Sequence, residues 1–374
     1  MNDTASIDIV VSGHLCLDLI PAMEHVPLEG FAQPGRLYEV GPLTISTGGA
    51  VSNTGLALHR LGTDVRLMAT VGDDLLGRVI IAYLKDRDAR LSELIVVQPG
   101  QPSSYTVVLA PSRVDRIFLH CTGTNNAFNT ANVDFDLLRR ARLFHLGYPP
   151  ILPSLIADDG VELSALYRQA QAAGAVTSLD MTLPDPKGLS GQANWPLILE
   201  QTLPYVDIFL PSIEEILFMV RRGDYDAWHG SVTRHIDSAY LSALADDLLA
   251  LGTAVVGFKL GEMGIFLKTA PAGRIAQLAR LPIEPSAWSE RVIYVPAFAV
   301  DVVNTLGAGD SAYAGFLAAL VRGLPPEQCV RWACAAGACN CETADATSGV
   351  RTWDETQQRM NSGWPEHHIR LKGM

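Results

Sequence analysis

The sequence predicts an α/β fold, a mostly parallel central sheet with helices on both faces and a small β-rich lid. Three observations carry this. From Arg142 onward, strand-length apolar runs alternate with helical patterns, as in parallel sheets covered on both sides. Two glycine-rich turns open helices, at 46–53 and 304–310. Polar residues recur at the ends of the apolar runs, where such sheets bind ligands.

In chain order, 7–11 reads as a buried strand ending at Ser12-Gly13, with Asp18 shortly beyond. The Pro- and Gly-rich stretch 21–42 suits exposed turns and short strands. Ser46-Thr47-Gly48-Gly49-Ala50-Val51-Ser52-Asn53 runs into a helix through Leu56, Leu58 and Leu61 to Gly62. A strand at 65–71 precedes Gly72-Asp73-Asp74 and a helix to about Arg87. Segments 104–110 and 116–120 read as paired strands joined by Pro111-Ser112-Arg113, and 20–47 with 100–128 form the expected lid.

Next come strands at 143–146, 176–179, 206–210 and 255–260, the last with a partner at 264–268. Helices are expected at 163–173, from Glu214, and at 240–251. A β-like segment, 292–303, is broken by Pro296. After it Tyr313, Phe316, Leu317 and Leu320 recur at helical spacing, so one face of that helix should be buried. No repeat or low-complexity linker divides the chain, and its 374 residues are expected as a single domain.

Hydrophobic residues make up 48% and charged residues 18%, which excludes wholesale disorder. The formal net charge of −12 argues against nucleic acid or an anionic membrane surface as main partner, since both need a basic footprint. Met1 to Ser6 is polar and no apolar run reaches membrane-spanning length, so a cytoplasmic location is expected. The cysteines contain no Cys-x-x-Cys pair. Cys329, Cys334, Cys339 and Cys341 share one helical region and read as small apolar residues.

Chemistry concentrates at 304–310. Two glycines at a helix mouth let backbone N–H groups approach a ligand, and with the helix dipole they make an anion site. Asp310 stands where that anion would bind, either as a first-turn cap or as a base beside a transferring group. Asp180 also reads as a loop cap, Glu215 as a first-turn acid and Lys259 as an exposed strand-end charge. Their joint placement at one sheet edge favours a site.

The order Gly48-Gly49 with Asn53, Pro211-Ser212-Ile213-Glu214-Glu215, Lys259-Leu260-Gly261 with Gly264, and Thr305-Leu306-Gly307-Ala308-Gly309-Asp310 resembles the ribokinase-like carbohydrate kinases, or PfkB family. The resemblance covers nearly the whole chain. Arg116-Ile117-Phe118 and Gly123-Thr124-Asn125 look like that family's lid strand and following loop. It implies a ribokinase-like fold and phosphorylation of a primary hydroxyl of a small carbohydrate, with ATP and Mg²⁺. It further implies Asp310 as general base and the amides of Gly307, Ala308 and Gly309 as anion hole. Asp18, Gly48, Gly49, Asn53 and Asn125 would hold the sugar. Ser212, Lys259, Gly261, Gly264 and Thr305 would lie along the nucleotide, and Glu215 would order the metal.

Three positions depart from that pattern. Asn304 stands where the family usually has an Asp that helps hold a monovalent cation, which leaves K⁺ activation open. Ser212 replaces the Asn of Asn-x-x-Glu, and Asp180-Met181-Thr182 replaces Asp-x-Asn. Extra material at 184–196, 223–238 and 271–290 is expected as surface loops or short helices. Two alternatives stay open: a nucleoside kinase of the same family, with Phe31, Tyr38, Tyr105 and Phe118 against the base, and a non-catalytic sugar- or nucleotide-binding regulatory protein. A dinucleotide oxidoreductase is set aside, because Ser12-Gly13-His14-Leu15-Cys16 lacks the Gly-x-Gly-x-x-Gly turn. The lid strands offer edges suited to pairing across a homodimer.

Overall fold

Strand alternation around Ile9, Val10 and Val11 decides the layering. The computed structural model describes residues 7–23, 26, 34–110, 117–228 and 230–374. Its strands are β1 (Ile7–Gly13), β2 (Cys16–Pro21), β3 (Leu43–Gly48), β4 (Val65–Gly72), β5 (Leu94–Gln98), β6 (Tyr105–Leu109) and β7 (Ile117–Cys121). They continue as β8 (Ala141–Gly147), β9 (Val176–Asp180), β10 (Ile208–Phe209), β11 (Val255–Lys259), β12 (Ile265–Thr269) and β13 (Val292–Val295). Nine of them form one sheet in the order β13-β12-β11-β10-β9-β8-β1-β4-β5. The run from β11 to β5 is parallel; β12 and β13 pair antiparallel at one edge.

Successive side chains of a strand point to opposite faces, so Ile9 and Val11 join Leu67, Phe316 and Leu317 in one core. Val10 joins Phe144, Leu146, Leu163 and Tyr167 in the other. Two helical layers therefore cover the sheet, as expected. The second sheet, in the order β3-β2-β6-β7, is the lid. It starts at Cys16 rather than near residue 20, so Asp18 lies inside β2, opposite Ser46 and Thr106, and not past the end of a main-sheet strand. On its outer edge Phe118 and Leu119 are exposed. Phe31, Arg116 and the Pro111-Ser112-Arg113 connection lie outside the described residues.

Other boundaries also move. The segment expected as strand at 292–303 stops at Val295, because Pro296 has no N–H to continue the ladder. The strand expected at 206–210 shortens to two residues, and β5 carries no strong alternation that would have announced it. The helix Ala308–Val321 is buried on every face from Asp310 onward, not on one. It lies between the sheet and the helix Pro326–Asn340, and the two approach closely where Gly315 meets the Trp332 carbonyl. The three extra segments hold short helices, including Leu189–Gln192, Arg222–Trp228 and Pro285–Trp288. They are more than surface, since Trp195, Tyr225 and Trp288 are buried and Trp288 meets the Phe316 ring edge-on at 6.2 Å. The six cysteines are free thiols. Among the described residues no helix is long and apolar enough to cross a membrane.

Gly315→Ala tests the helix packing. Alanine gains ~1 kcal/mol of helix propensity. Its Cβ would fall 2.5 Å from the Trp332 carbonyl oxygen, a backbone atom that cannot swing aside. Overpacking of this kind costs ~1–3 kcal/mol, so the variant should unfold at lower urea concentration than the wild type; an equal or higher midpoint would refute the contact.

Candidate active site

Three main-sheet strands and two helix starts converge on Asp310. Gly307, at the N-cap of its helix, has φ 70°. Only glycine fits there, because a Cβ would sit 2.3 Å from the Ala346 carbonyl oxygen. Ser311 makes the first intrahelical bond, to the Gly307 carbonyl at 2.8 Å, so the amides of Ala308, Gly309 and Asp310 precede the helical ladder. Ala308 N–H turns back to Thr305 at 3.2 Å.

Asp310 itself is 1% exposed. Its Oδ2 accepts Asn53 Nδ2 at 3.0 Å and the Tyr148 hydroxyl at 2.7 Å, and its Oδ1 accepts Thr54 Oγ1 at 3.3 Å. Burial raises its pKa, while these donors and Lys259 pull it back down. Lys259, ending β11, donates to Asp180 Oδ1 at 2.6 Å, at the end of β9. Burial works against the lysine's charge, but Asp180, Glu215 and Asp310 outweigh it and keep the ammonium charged. Glu215 Oε2 accepts the Ser212 N–H at 2.7 Å, closing the first turn of the helix Ile213–Val220. Burial pushes Glu215 up, opposed by Lys259 and Ser212.

A cavity of roughly 670 Å³ opens on this centre. Of the residues expected along a nucleotide, Ser212, Lys259, Gly261, Gly264 and Thr305 all line it, together with Glu215 and the 307–310 turn. Its far wall is apolar, formed by Ile265, Phe298 and the small residues Ala333, Cys334, Gly337 and Ala338 of the helix Pro326–Asn340.

The residues expected against a sugar, Asp18, Gly48, Gly49, Asn53 and Asn125, do not line this cavity. Gly49, at φ 84°, caps the helix Ala50–Arg60, and a Cβ there would meet His14 Nδ1 at 2.3 Å. Gly48 leaves room for Asp18, whose Oδ2 would be 2.2 Å from any Cβ. Asn53 is brought onto Asp310 itself. Asn125 is fully buried and donates Nδ2 to the Leu15 carbonyl at 2.9 Å, so it braces the turn between β1 and β2. His14 and His120 face each other with Nε2 atoms 3.4 Å apart. Burial holds both imidazoles below their ordinary pKa, so they are neutral. His14 Nδ1, Asn53 Oδ1, Asn125 Oδ1 and Asp180 Oδ2 are buried polar atoms without a protein partner.

Sequence reasoning missed Tyr148, Thr54, His14 and His120. Tyr148 follows Gly147 at the end of β8 and His14 follows Gly13 at the end of β1, so the strand-end rule could have found both. Thr54 and His120 carry no local signal.

A family model described as pfkB family carbohydrate kinase matches residues 6–353. The 5-dehydro-2-deoxygluconokinase of Geobacillus thermodenitrificans is 22% identical over 355 residues, covering 94% of this chain and 92% of that protein. A nucleoside kinase of Methanothermobacter thermautotrophicus is 23% identical over 358 residues, covering 96% of each. The solved Arabidopsis thaliana ribokinase, complexed with ribose and ATP, superposes with TM-score 0.71 at 20% identity, over 94% of this chain and 98% of its own. At that identity the match shows a shared fold.

Asp18 supplies a pH test. Burial pushes its carboxyl up to about 6, against the pull of the Cys16 and Thr106 hydrogen bonds. A folded-state pKa above the unfolded one gives stability present at low pH and lost as pH rises through that value. Asp18→Asn, which mimics the protonated form, should therefore melt higher than wild type at pH 7 and lose that advantage below pH ~4, near the unfolded carboxylate value. Equal melting at both pH values would refute the strained carboxylate.

Proposed function

The chain is a member of the pfkB family of carbohydrate kinases, and on that premise we propose that it transfers the γ-phosphoryl group of ATP to a primary hydroxyl of a small carbohydrate. The observation that carries this reading is Asp310, a buried acid in the first turn of a helix, beside a cavity it shares with Lys259 and Glu215.

In this reading the acceptor binds between Asp310 and the lid, near Asp18, Gly49 and Asn53. Its O–H bond breaks as the proton passes to the Asp310 carboxylate. The freed electron pair forms the new O–P bond, and the old P–O bond breaks with its electrons leaving on ADP. Charge on the transferring oxygens falls to the amides of Gly307 and Gly309, to that of Ala308 once it exchanges its bond to Thr305 for the phosphate, and to Lys259. The apolar wall of Ile265 and Ala338 suits the nucleotide base.

Among the described residues no three His, Cys, Asp or Glu side chains gather as a ready metal site. Glu215, a carboxylate lining the cavity, fits Mg²⁺ carried mainly by phosphates: it would hold the ion or its waters, and the ion would supply charge neutralisation at the phosphate oxygens. For a monovalent cation Asn304 brings a neutral amide in place of a charge. Asn304 Oδ1 accepts the Leu306 N–H at 2.8 Å, which turns its Nδ2 donor onto the Ala344 carbonyl. Both ends of the Asn304 amide are thus engaged with the backbone.

Asp310→Asn should lower kcat by ~10²–10⁴ with thermal stability held, measured on a panel of sugars, sugar acids and nucleosides. Near-full activity in that variant would remove the general-base role. Binding of a sugar without turnover on any acceptor would replace the kinase reading with a non-catalytic one. Wild-type turnover should be the same in K⁺ as in a bulky ammonium buffer, and Asn304→Asp should introduce a K⁺ requirement. Strong K⁺ activation of the wild type would overturn the assignment of Asn304.

A further inference from the structure

Asp310 is held by one donor that neither the glycine turn nor the helix supplies. Tyr148 ends β8 in the left-handed region, at φ 68°, a conformation a bulky residue rarely takes. Its N–H donates to the Asp180 carbonyl at 3.1 Å, and its ring lines the cavity. The ring centroid is 6.4 Å from that of His14. This backbone turn aims the hydroxyl at Asp310 Oδ2, 2.7 Å away.

A carboxylate offers about four acceptor positions, two on each oxygen. On Asp310 Oδ2 both are taken, by Tyr148 at 2.7 Å and Asn53 at 3.0 Å. Oδ1 has only the long contact from Thr54 at 3.3 Å and keeps one position open. We infer that Tyr148 is a positioning residue for phosphoryl transfer: with Asn53 it saturates Asp310 Oδ2, so that Oδ1 is the atom that takes the acceptor's proton. This rests on the kinase reading above.

The tyrosine is suited to donating only. Burial, then the neighbouring Asp310 charge, hold its hydroxyl well above its ordinary pKa, so it stays protonated. Its donated hydrogen bond favours the ionised form of Asp310 and opposes the effect of burial there. The other charged groups facing Asp310 are Lys259 from β11, Asp180 from β9 and Glu215 from the helix Ile213–Val220. A change at Tyr148 leaves all three in place, so a shift can be traced to one hydrogen bond.

Tyr148→Phe in the full chain keeps the ring and the turn but removes the donor. Aspartate ¹³C-carboxyl NMR titration reads Asp310 directly, with its signal assigned by loss in Asp310→Asn. The Asp310 midpoint should move to higher pH in Tyr148→Phe, and the acid limb of the kcat/KM profile should follow it. We expect kcat to fall ~10-fold or more, the scale of a hydrogen bond to a charged group, with KM for ATP unchanged and a melting temperature that drops at neutral pH in step with the Asp310 shift and recovers at low pH. An unmoved Asp310 midpoint overturns the role of Tyr148 whatever the turnover. A shifted midpoint with kcat and its pH profile unaltered in an active enzyme also overturns it. Absence of wild-type turnover on every acceptor would instead overturn the kinase reading.

Discussion

A carboxylate taken out of water must be compensated by donors, and the region around Asp310 is organised by that requirement. Burying an unpaired ionised acid is expensive enough that the group would normally neutralise instead. Here the helix Ala50–Arg60 gives Asn53 and Thr54, the end of β8 gives Tyr148, and the end of β11 gives the ammonium of Lys259. Lys259 is itself buried and needs Asp180 and Glu215 to stay charged. Each charge justifies the next, and the chain of dependence draws the ends of three strands and the first turns of three helices to one point.

The same requirement explains why the acid stands in the first turn of a helix with no exposed face. Such a helix needs small residues to let its neighbour approach, as Gly315 does against Trp332. It also needs a glycine to enter, as Gly307 does against Ala346. Tightness in the core and accuracy in the site therefore come from one element, and substitutions on its buried faces will register in both.

Much of this was legible from residue order alone. Asp310, Lys259, Glu215 and the glycines of both turns lie at strand-to-helix junctions, where local chemistry announces the junction and topology sends all junctions to one edge. What escaped was set by contacts distant in the chain. Tyr148 reaches Asp310 across 162 residues, and its neighbour Gly147 gave no hint of the direction of the ring. The lid boundary escaped because Cys16 to Pro21 reads equally well as the end of a loop. Asn125 read as a ligand contact from its motif alone; that its Nδ2 braces the Leu15 carbonyl while its Oδ1 is left without a protein partner is set by a contact 110 residues away. The full burial of the helix Ala308–Val321 was masked by its alanines, which belong to either a core or a surface.

The helix Pro326–Asn340 offers its small side chains in two directions at once. One face receives the helix that carries Asp310, and another floors the cavity with Ala333, Cys334, Gly337 and Ala338. A floor made of near-bare backbone cannot retreat or swing, so that half of the site is a fixed mould. The separate four-stranded sheet supplies none of the residues that line that cavity. A molecule held against that floor would have to match it, whereas the sheet of β3-β2-β6-β7 is a separate element whose side chains can change without disturbing the mould.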